Sequence, residues 1–146
     1  MPLLRAALSW NFVLATAICA SLLAQLIKVL LNLFIFHRFI AERMWGAGGM
    51  PSSHSATVCA MVVATGRYCG VNSPLFAIAA VLSIIVMYDA MGVRYETGEQ
   101  AKVLNRMFTE WMDQGFEQFQ LPHGKKLKEM VGHTPIEVVT GAALGI

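Results

Sequence analysis

Two histidines in this chain each lie beside the predicted start of a helix, on a turn that contains glycine. The first, His54, belongs to the stretch GGMPSSHS at positions 48–55, which interrupts long apolar runs. Pro51 suits the first turn of a helix and Ser52 or Ser53 suits its N-cap, so the following apolar run is predicted to be helical. A helix N-terminus attracts anions, and histidine titrates near neutral pH. The stretch predicts an anion site with a proton donor or nucleophile; the simpler alternative is a Ser-capped helix start.

The second histidine, His133, belongs to the stretch GHTPIE at positions 132–137. Thr134 as N-cap, Pro135 as the first helical residue and Glu137 as the third form a capping box that opens the last apolar helix. Glu137 is also in place to orient His133, as a carboxylate does in a catalytic triad, where it fixes the tautomer and raises the basicity. Capping alone is the simpler role for this residue, and the two roles are compatible.

Three further charged residues interrupt the apolar runs. Lys28 shares one face of the first run with Gln25 and Asn32, at helical spacing. A lysine inside a membrane span is costly and normally faces a partner or a water-filled site. We therefore expect Lys28 to line the anion pocket or, alternatively, to pair with Asp89. Arg94 either reaches the phosphate site, because a guanidinium fork matches phosphate oxygens, or forms a structural ion pair at the helix end.

The composition predicts the kind of protein that must position these residues. Of 146 residues, 56% are hydrophobic and only 14% are charged, whereas soluble domains carry about a quarter charged residues. A net charge of +2 is too small to indicate nucleic-acid binding. We predict an all-α integral membrane protein of one domain, 1–146, with three to four membrane helices and one amphipathic interfacial helix. The predicted helices cover about 11–36, 54–69, 75–93, 99–120 (the amphipathic one) and 134–146.

The predicted topology brings the candidate residues to one side of the membrane. If the first three helices all cross, then His54, Arg94 and His133 lie together, and Lys28 points toward them from below. That side also holds most of the lysines and arginines, so the positive-inside rule predicts that it faces the cytoplasm. If the second helix is re-entrant and does not cross, this assignment of residues to one side of the membrane fails.

Three stretches, in order, resemble a known family. They are GGMPSSHSA at 48–56, YDAMGVR at 88–94 and GHTPIEV at 132–138. The first is similar to the PSGH motif of type 2 phosphatidic acid phosphatases, a superfamily that also includes vanadium haloperoxidases. The sequences of all three resemble the divergent branch of that superfamily, which consists of small bacterial membrane proteins. The resemblance covers nearly the whole chain. The resemblance implies hydrolysis of a phosphomonoester or pyrophosphate, without metal or other cofactor, through a phosphohistidine intermediate.

The resemblance also implies roles for single residues. His133 corresponds to the nucleophile of the third motif, and Glu137 stands where the family has the aspartate that orients it. His54 corresponds to the histidine that protonates the leaving group. The implied phosphate-binding residues are Lys28, Ser52, Ser53 and Arg94. The apolar setting favours a lipid-linked phosphate as substrate and membrane lipid as partner, in a bacterial plasma membrane.

The chain departs from the family pattern at two arginines. Ile35 and Phe36 stand where the first motif has Arg-Pro, and Leu127 stands where the third motif has arginine. The candidates to replace them are Arg94, Lys126 and Lys128, of which Arg94 is the best. These losses favour an alternative, a non-catalytic membrane protein that keeps the fold and binds an anionic headgroup or a protein partner. A third alternative is a transporter component in which Lys28 and Asp89 form a coupled ion pair.

Overall fold

A computed structural model describes residues 11–36, 49–114, 126–129 and 131–146, and these residues form helices and their connections. The all-α class that the sequence predicts is therefore confirmed. The charged junction predicted at 37–45 and the turn that contains His123 lie outside the described residues. The helices are α1 (Phe12–Phe36), α2 (Ser53–Cys69), α3 (Pro74–Met91), α4 (Val93–Asp113) and α5 (Pro135–Gly145).

The helix boundaries follow from local capping. Ser52 caps α2 by accepting a hydrogen bond from the N–H of Ser55, at 3.3 Å. The helix ends at Cys69 and is followed by the C-cap residue Gly70, whose φ is +83°. Ser73 caps α3 in the same way, with Pro74 as its first residue. Such caps satisfy N–H groups that have no partner inside the helix.

The amphipathic helix α4 begins earlier than the sequence predicts. Only Gly92 separates it from α3, so α4 starts at Val93 rather than near residue 99. A single glycine suffices to turn the chain from the apolar α3 to the amphipathic α4. The described part of α4 ends at Asp113, and most of the predicted remainder lies outside the described residues.

The packed interior is made of small residues, and the large apolar side chains lie outside. The buried apolar residues of the described chain are eight alanines and two valines. By contrast, Leu22 and Phe34 of α1 and Ile78 and Ile84 of α3 are all more than half exposed. A soluble protein buries such residues. Close packing of alanine, glycine and serine with leucine and isoleucine outside is typical of helices surrounded by lipid.

Two stretches are long and apolar enough to span a bilayer by length and composition. They are Phe12–Phe34 and a window within Pro74–Asp113, each with a mean hydropathy of 2.1. The 17 residues of α2 reach the short limit of about 17 residues for a span. The helix α5 is a shorter apolar helix.

The helix α2 occupies the centre of the bundle. The helices α1, α3 and α5 all pack against it, and α4 packs against α3. Since α1 runs toward the start of α2, and α3 returns to the same end, the N-terminus of α2 meets the ends of its neighbours. This end of the bundle holds the candidate site.

Candidate functional site

The turn before α2 forms the first wall of the site. Ser52 is fully buried, and its hydroxyl accepts hydrogen bonds from both the N–H and the hydroxyl of Ser55. Because Ser53 and His54 stand in the first turn of α2, their N–H groups have no acceptor inside the helix. The positive end of α2 is therefore directed at the space beside His54, as an anion site requires.

The second wall is Lys28, which α1 carries into the bundle. Lys28 is only 1% exposed, and none of the described residues accepts a hydrogen bond from its Nζ. The backbone of Gly49, at φ +91°, covers its aliphatic stem, since a Cβ there would lie 3.6 Å from Cδ of Lys28. A buried ammonium without an acceptor is costly unless a negative charge joins it.

The two histidines meet next to this lysine. The ring centroids of His54 and His133 are 5.6 Å apart, and the ring planes make an angle of 81°. The N–H of His133 donates to the carbonyl oxygen of Ala90 at 3.0 Å, which fixes the loop before α5 to the end of α3. Nδ1 of His54 and both ring nitrogens of His133 are buried and have no hydrogen-bond partner among the described residues.

The electrostatics of this cluster favour an anion. Burial, and then the nearby His54, Lys28 and Arg94, lower the pKa of His133 from its ordinary 6.5 to about 4. A neutral imidazole has a free lone pair above that pH, which a nucleophile requires. Lys28 supplies a positive charge, and Lys28, His54 and His133 carry polar atoms that have no partner among the described residues. Beside a helix N-terminus, this arrangement suits a bound anion such as a phosphoryl group.

Glu137 forms the capping box that its spacing predicts. Its carboxylate accepts from the N–H of Thr134 at 2.9 Å, and the hydroxyl oxygen of Thr134 accepts from the N–H of Glu137 in return. The carbonyl oxygen of Glu137 accepts from the N–H of Ser52 at 2.9 Å, so α5 holds the turn before α2. The hydrogen bond from His133 to Glu137 that a triad would have is not formed. The role of Glu137 as the carboxylate that orients His133 stays a prediction.

Arg94 lies at the rim of the site. Its Nε donates to Oδ2 of Asp89 at 2.6 Å, and both side chains are more than a third exposed. It is nevertheless close enough for its charge to act on His54 and His133. The alternative pairing of Lys28 with Asp89 is wrong, because Asp89 binds Arg94 instead. The premise of the transporter alternative, a coupled pair of Lys28 and Asp89, is lost with it.

Two glycines that sequence reasoning missed set the distance between α5 and α2. A Cβ on Gly141 would overlap the carbonyl oxygen of Ser52, and one on Gly145 would overlap that of Ala56. The spacing G-x-x-x-G within the apolar run 134–146 was the available signal, since it marks close helix packing in membranes.

A third missed residue, Asn105, holds the segment that leads to His133. Its Oδ1 accepts from the N–H of Leu127 at 2.8 Å, and its Nδ2 donates to the carbonyl oxygen of Leu127 at 2.9 Å and to Oε1 of Glu129 at 2.8 Å. Further along, Gly132 lies against the backbone of Tyr95 so closely that a Cβ would overlap it. No simple sequence signal distinguishes Asn105 from the other polar residues of an amphipathic helix.

The positions of the family arginines are also partly described. The backbone of Leu127 is tied to Asn105, and its neighbours Lys126 and Lys128 are exposed. Among the described residues, the cationic side chains at the site are Lys28 and, at its rim, Arg94. In the same residues, no group of three or more His, Cys, Asp or Glu side chains is arranged as a metal site.

Comparison with known proteins agrees with this architecture. The model of the Divergent PAP2 family matches residues 9–146. An uncharacterized membrane protein of Bacillus subtilis (strain 168), YuiD, is 39% identical over 142 residues, which cover 93% of this chain and 90% of the relative. No solved structure matches the chain. With its apolar helices and a relative that is a membrane protein, the chain is a membrane protein, and it belongs to the Divergent PAP2 family.

Proposed function

We propose that this protein is a phosphatase that hydrolyses a lipid-linked phosphomonoester or pyrophosphate, without a metal ion, through a phosphohistidine intermediate on His133. One observation carries the proposal. His54 and His133 meet edge to face, with their centroids 5.6 Å apart, beside the buried ammonium of Lys28, and their polar atoms lack partners. A buried cluster of polar groups without partners costs stability, and a bound anion would remove that cost.

In the first step, a ring nitrogen of neutral His133 attacks phosphorus. The new P–N bond forms as the P–O bond to the leaving group breaks, and His54, in its protonated form, gives its proton to the leaving oxygen. In the second step, water attacks phosphorus and the P–N bond breaks. His54 takes the proton of that water, which returns both histidines to their starting states and releases phosphate.

The charges around the site would stabilise the transition state of each step. Phosphoryl transfer spreads negative charge over three oxygens and depends mainly on positioning and electrostatics. Lys28 would bind these oxygens from below, and the free N–H groups of Ser53 and His54 would bind them from the start of α2, next to the Ser52 cap. Arg94 would add charge at the rim, after exchanging Asp89 for the substrate.

The membrane setting supports a lipid partner, and the distribution of charge supports a cytoplasmic site. Arg94, Lys102 and Arg106 of α4 and the exposed Lys126 and Lys128 follow the end of α3 that holds the site. A cysteine placed at the exposed Gln100 tests this sidedness, in a variant whose own Cys19, Cys59 and Cys69 are replaced by alanine. In intact cells it should resist an impermeant maleimide and react only after lysis, and prompt labelling in intact cells would place the site outside.

The decisive experiment measures phosphate release by the purified protein in detergent. The panel comprises lipid phosphates and lipid pyrophosphates, with and without a chelator, for the wild type, His133→Ala and His54→Ala. We expect chelator-resistant release by the wild type and loss in both variants. His54→Ala with an activated leaving group should accumulate phosphate on His133, which acid releases and alkali preserves. Equal background release by all three proteins across the panel would contradict catalysis.

A second function, anion binding without turnover, is favoured by two specific observations. The carboxylate of Glu137 caps a helix rather than contacting His133, and Leu127 replaces a family arginine. The same panel separates the two functions. Binding of vanadate that depends on Lys28, combined with background hydrolysis, would leave a headgroup-binding protein with a retained fold.

A further inference from the structure

The chain that leads to His133 lies along one face of the amphipathic helix α4. Its described residues, 126–129 and 131–133, are called the strap below. The buried residues of α4 are Gly98, Ala101 and Asn105. Their spacing of three and four places them on one face of the helix. Since two of the three have little or no side chain, backbone can approach this face closely.

The strap contacts this face at successive points. Near its start, Leu127 is bound by Asn105. Further along, the carbonyl oxygen of Glu129 lies so close to Gly98 that a Cβ there would overlap it, and Gly132 is as close to the backbone of Tyr95. These contacts extend over ten residues of α4, a rise of about 15 Å. The strap therefore runs antiparallel to α4 and ends beside the junction of α3 and α4.

The side chain of Asn105 binds the strap with all of its donors. It is 5% exposed. Its Oδ1 accepts from the N–H of Leu127 at 2.8 Å, and its Nδ2 donates to the carbonyl oxygen of Leu127 at 2.9 Å and to Oε1 of Glu129 at 2.8 Å. Only an amide side chain offers an acceptor and two donors in this way. Backbone outside a helix needs such partners when it is covered.

The ring of His133 has no comparable support. Neither of its nitrogens has a hydrogen-bond partner among the described residues, and the carboxylate of Glu137 caps α5 instead. The hydrogen bond that holds His133 is made by its backbone N–H, to the carbonyl oxygen of Ala90. The place of the imidazole therefore depends on the backbone that carries it, which is the strap on one side and α5 on the other.

We propose that Asn105 is the positioning residue of His133, which it holds opposite His54 through the strap. The inference rests on the proposed function for the reaction that the imidazole performs. Lys28 and the start of α2, which would bind the phosphoryl group, belong to helices that do not carry the strap. Loss of the Asn105 contacts should therefore lower kcat and change KM little, because the attack on phosphorus is impaired while the binding groups stay in place.

Steady-state kinetics of the purified full-length protein in detergent provide the first test. Asn105→Asp keeps the acceptor for the N–H of Leu127 and sets a carboxylate oxygen against the carboxylate of Glu129. We expect kcat to fall about a hundredfold, the factor that a misplacement of about 1 Å gives. Glu129→Gln in the same protein returns an amide donor and should restore kcat about tenfold, as one hydrogen bond to a charged group can. Gln100→Leu, at an exposed position of α4, is the control and should behave like the wild type.

A second test follows the place of His133 without turnover. His133 is 1% exposed, so its acylation by diethyl pyrocarbonate, measured by mass spectrometry, reports release of the strap. We expect acylation to rise about tenfold in Asn105→Asp, because losing a hydrogen bond to a charged group raises local opening by about that factor. Hydrogen exchange in residues 56–69 of α2 should stay unchanged. Faster exchange there would show general loosening and would overturn the positioning role.

Asn105→Gln keeps the amide and moves it by one methylene group, so it tests the same role with the hydrogen-bonding groups intact. We expect a folded protein, by its melting temperature, with lowered kcat. A raised KM with unchanged kcat in either variant would assign Asn105 to substrate binding and overturn the proposal.

The outcomes separate this inference from the proposed function. Phosphate release by the wild type, with kcat and the protection of His133 unchanged in Asn105→Asp, would leave the phosphatase and overturn the positioning role. Protection of His133 that depends on Asn105, in a protein that releases no phosphate, would leave the positioning role and overturn catalysis.

Discussion

Replacing Lys28 by methionine should have opposite effects on the empty and the anion-bound protein. Methionine keeps the length of the side chain and removes its charge. In the empty protein, Lys28 is 1% exposed with no acceptor for its Nζ among the described residues, and a buried unpaired ion costs several kcal/mol. The attraction of Glu137 offsets part of this cost. We expect Lys28→Met to stabilise the empty protein by about 2 kcal/mol, or about 4–8 °C in Tm at this chain length.

Orthovanadate, which imitates a phosphoryl group, should make the wild type more stable than Lys28→Met. A ligand at a hundred times its Kd stabilises the folded state by about 2.7 kcal/mol, and most of that gain should disappear in Lys28→Met. The assay is thermal unfolding in detergent, followed by circular dichroism, with and without orthovanadate. Leu26→Met, on the exposed face of the same helix, is the matched control and should behave like the wild type.

The result that would refute this reasoning is specific. If Lys28→Met lowers the Tm of the empty protein and keeps the full vanadate shift, then Lys28 is a structural residue with a partner outside the described part of the chain. The anion site would then have to form without it, and the proposed function would lose its main cation.

Four further predictions concern the second histidine and the glycines. The pKa of His133 is lowered to about 4 in the folded protein, so the unfolded chain binds more protons between about pH 4 and 6.5, and stability falls as the pH drops through that window. The loss should approach about 3 kcal/mol and be absent in His133→Gln, as melting curves against pH would reveal; identical curves would contradict it. For the same reason, phosphate release should persist down to about pH 5, and a pH–rate profile that falls off above pH 6 on its acid side would contradict this. In Gly141→Ala, the new Cβ must push α5 away from the carbonyl oxygen of Ser52, and such overpacking should lower the stability by about 1–3 kcal/mol. A shift of about 1 Å in the site should also lower kcat about a hundredfold. Ala143→Gly, at an exposed position of α5, is the control and should leave kcat unchanged. Gly132→Ala should likewise displace His133 from Ala90 and weaken vanadate binding, measured by calorimetry; unchanged binding would show that the loop adapts.

The local features of the site could be read from the sequence because they depend on neighbouring residues. Ser52 caps α2, and the capping box at Thr134 and Glu137 is present, as the spacing indicates. Capping requires only residues within one turn, so a short stretch contains all the information. The same holds for the prediction of two histidines beside helix starts.

The pairing of charges could not be read in the same way. Lys28 had two plausible partners in the sequence, the anion site and Asp89, and helical spacing cannot choose between partners on different helices. In the fold, Asp89 forms an ion pair with Arg94, because only Gly92 separates α3 from α4 and the two side chains meet across that turn. Lys28 is left without an acceptor among the described residues.

The sequence by itself determined the all-helical class, the apolar helices and the helix starts that carry His54 and His133. These properties depend on composition and on contacts within a few residues. Only the tertiary structure decided that both rings meet beside Lys28, since residues 26 to 105 positions apart come together when α2 packs between α1, α3 and α5. It also decided how closely they meet, because Gly141 and Gly145 allow α5 to touch the backbone of α2, and any larger side chain would hold the two histidines apart.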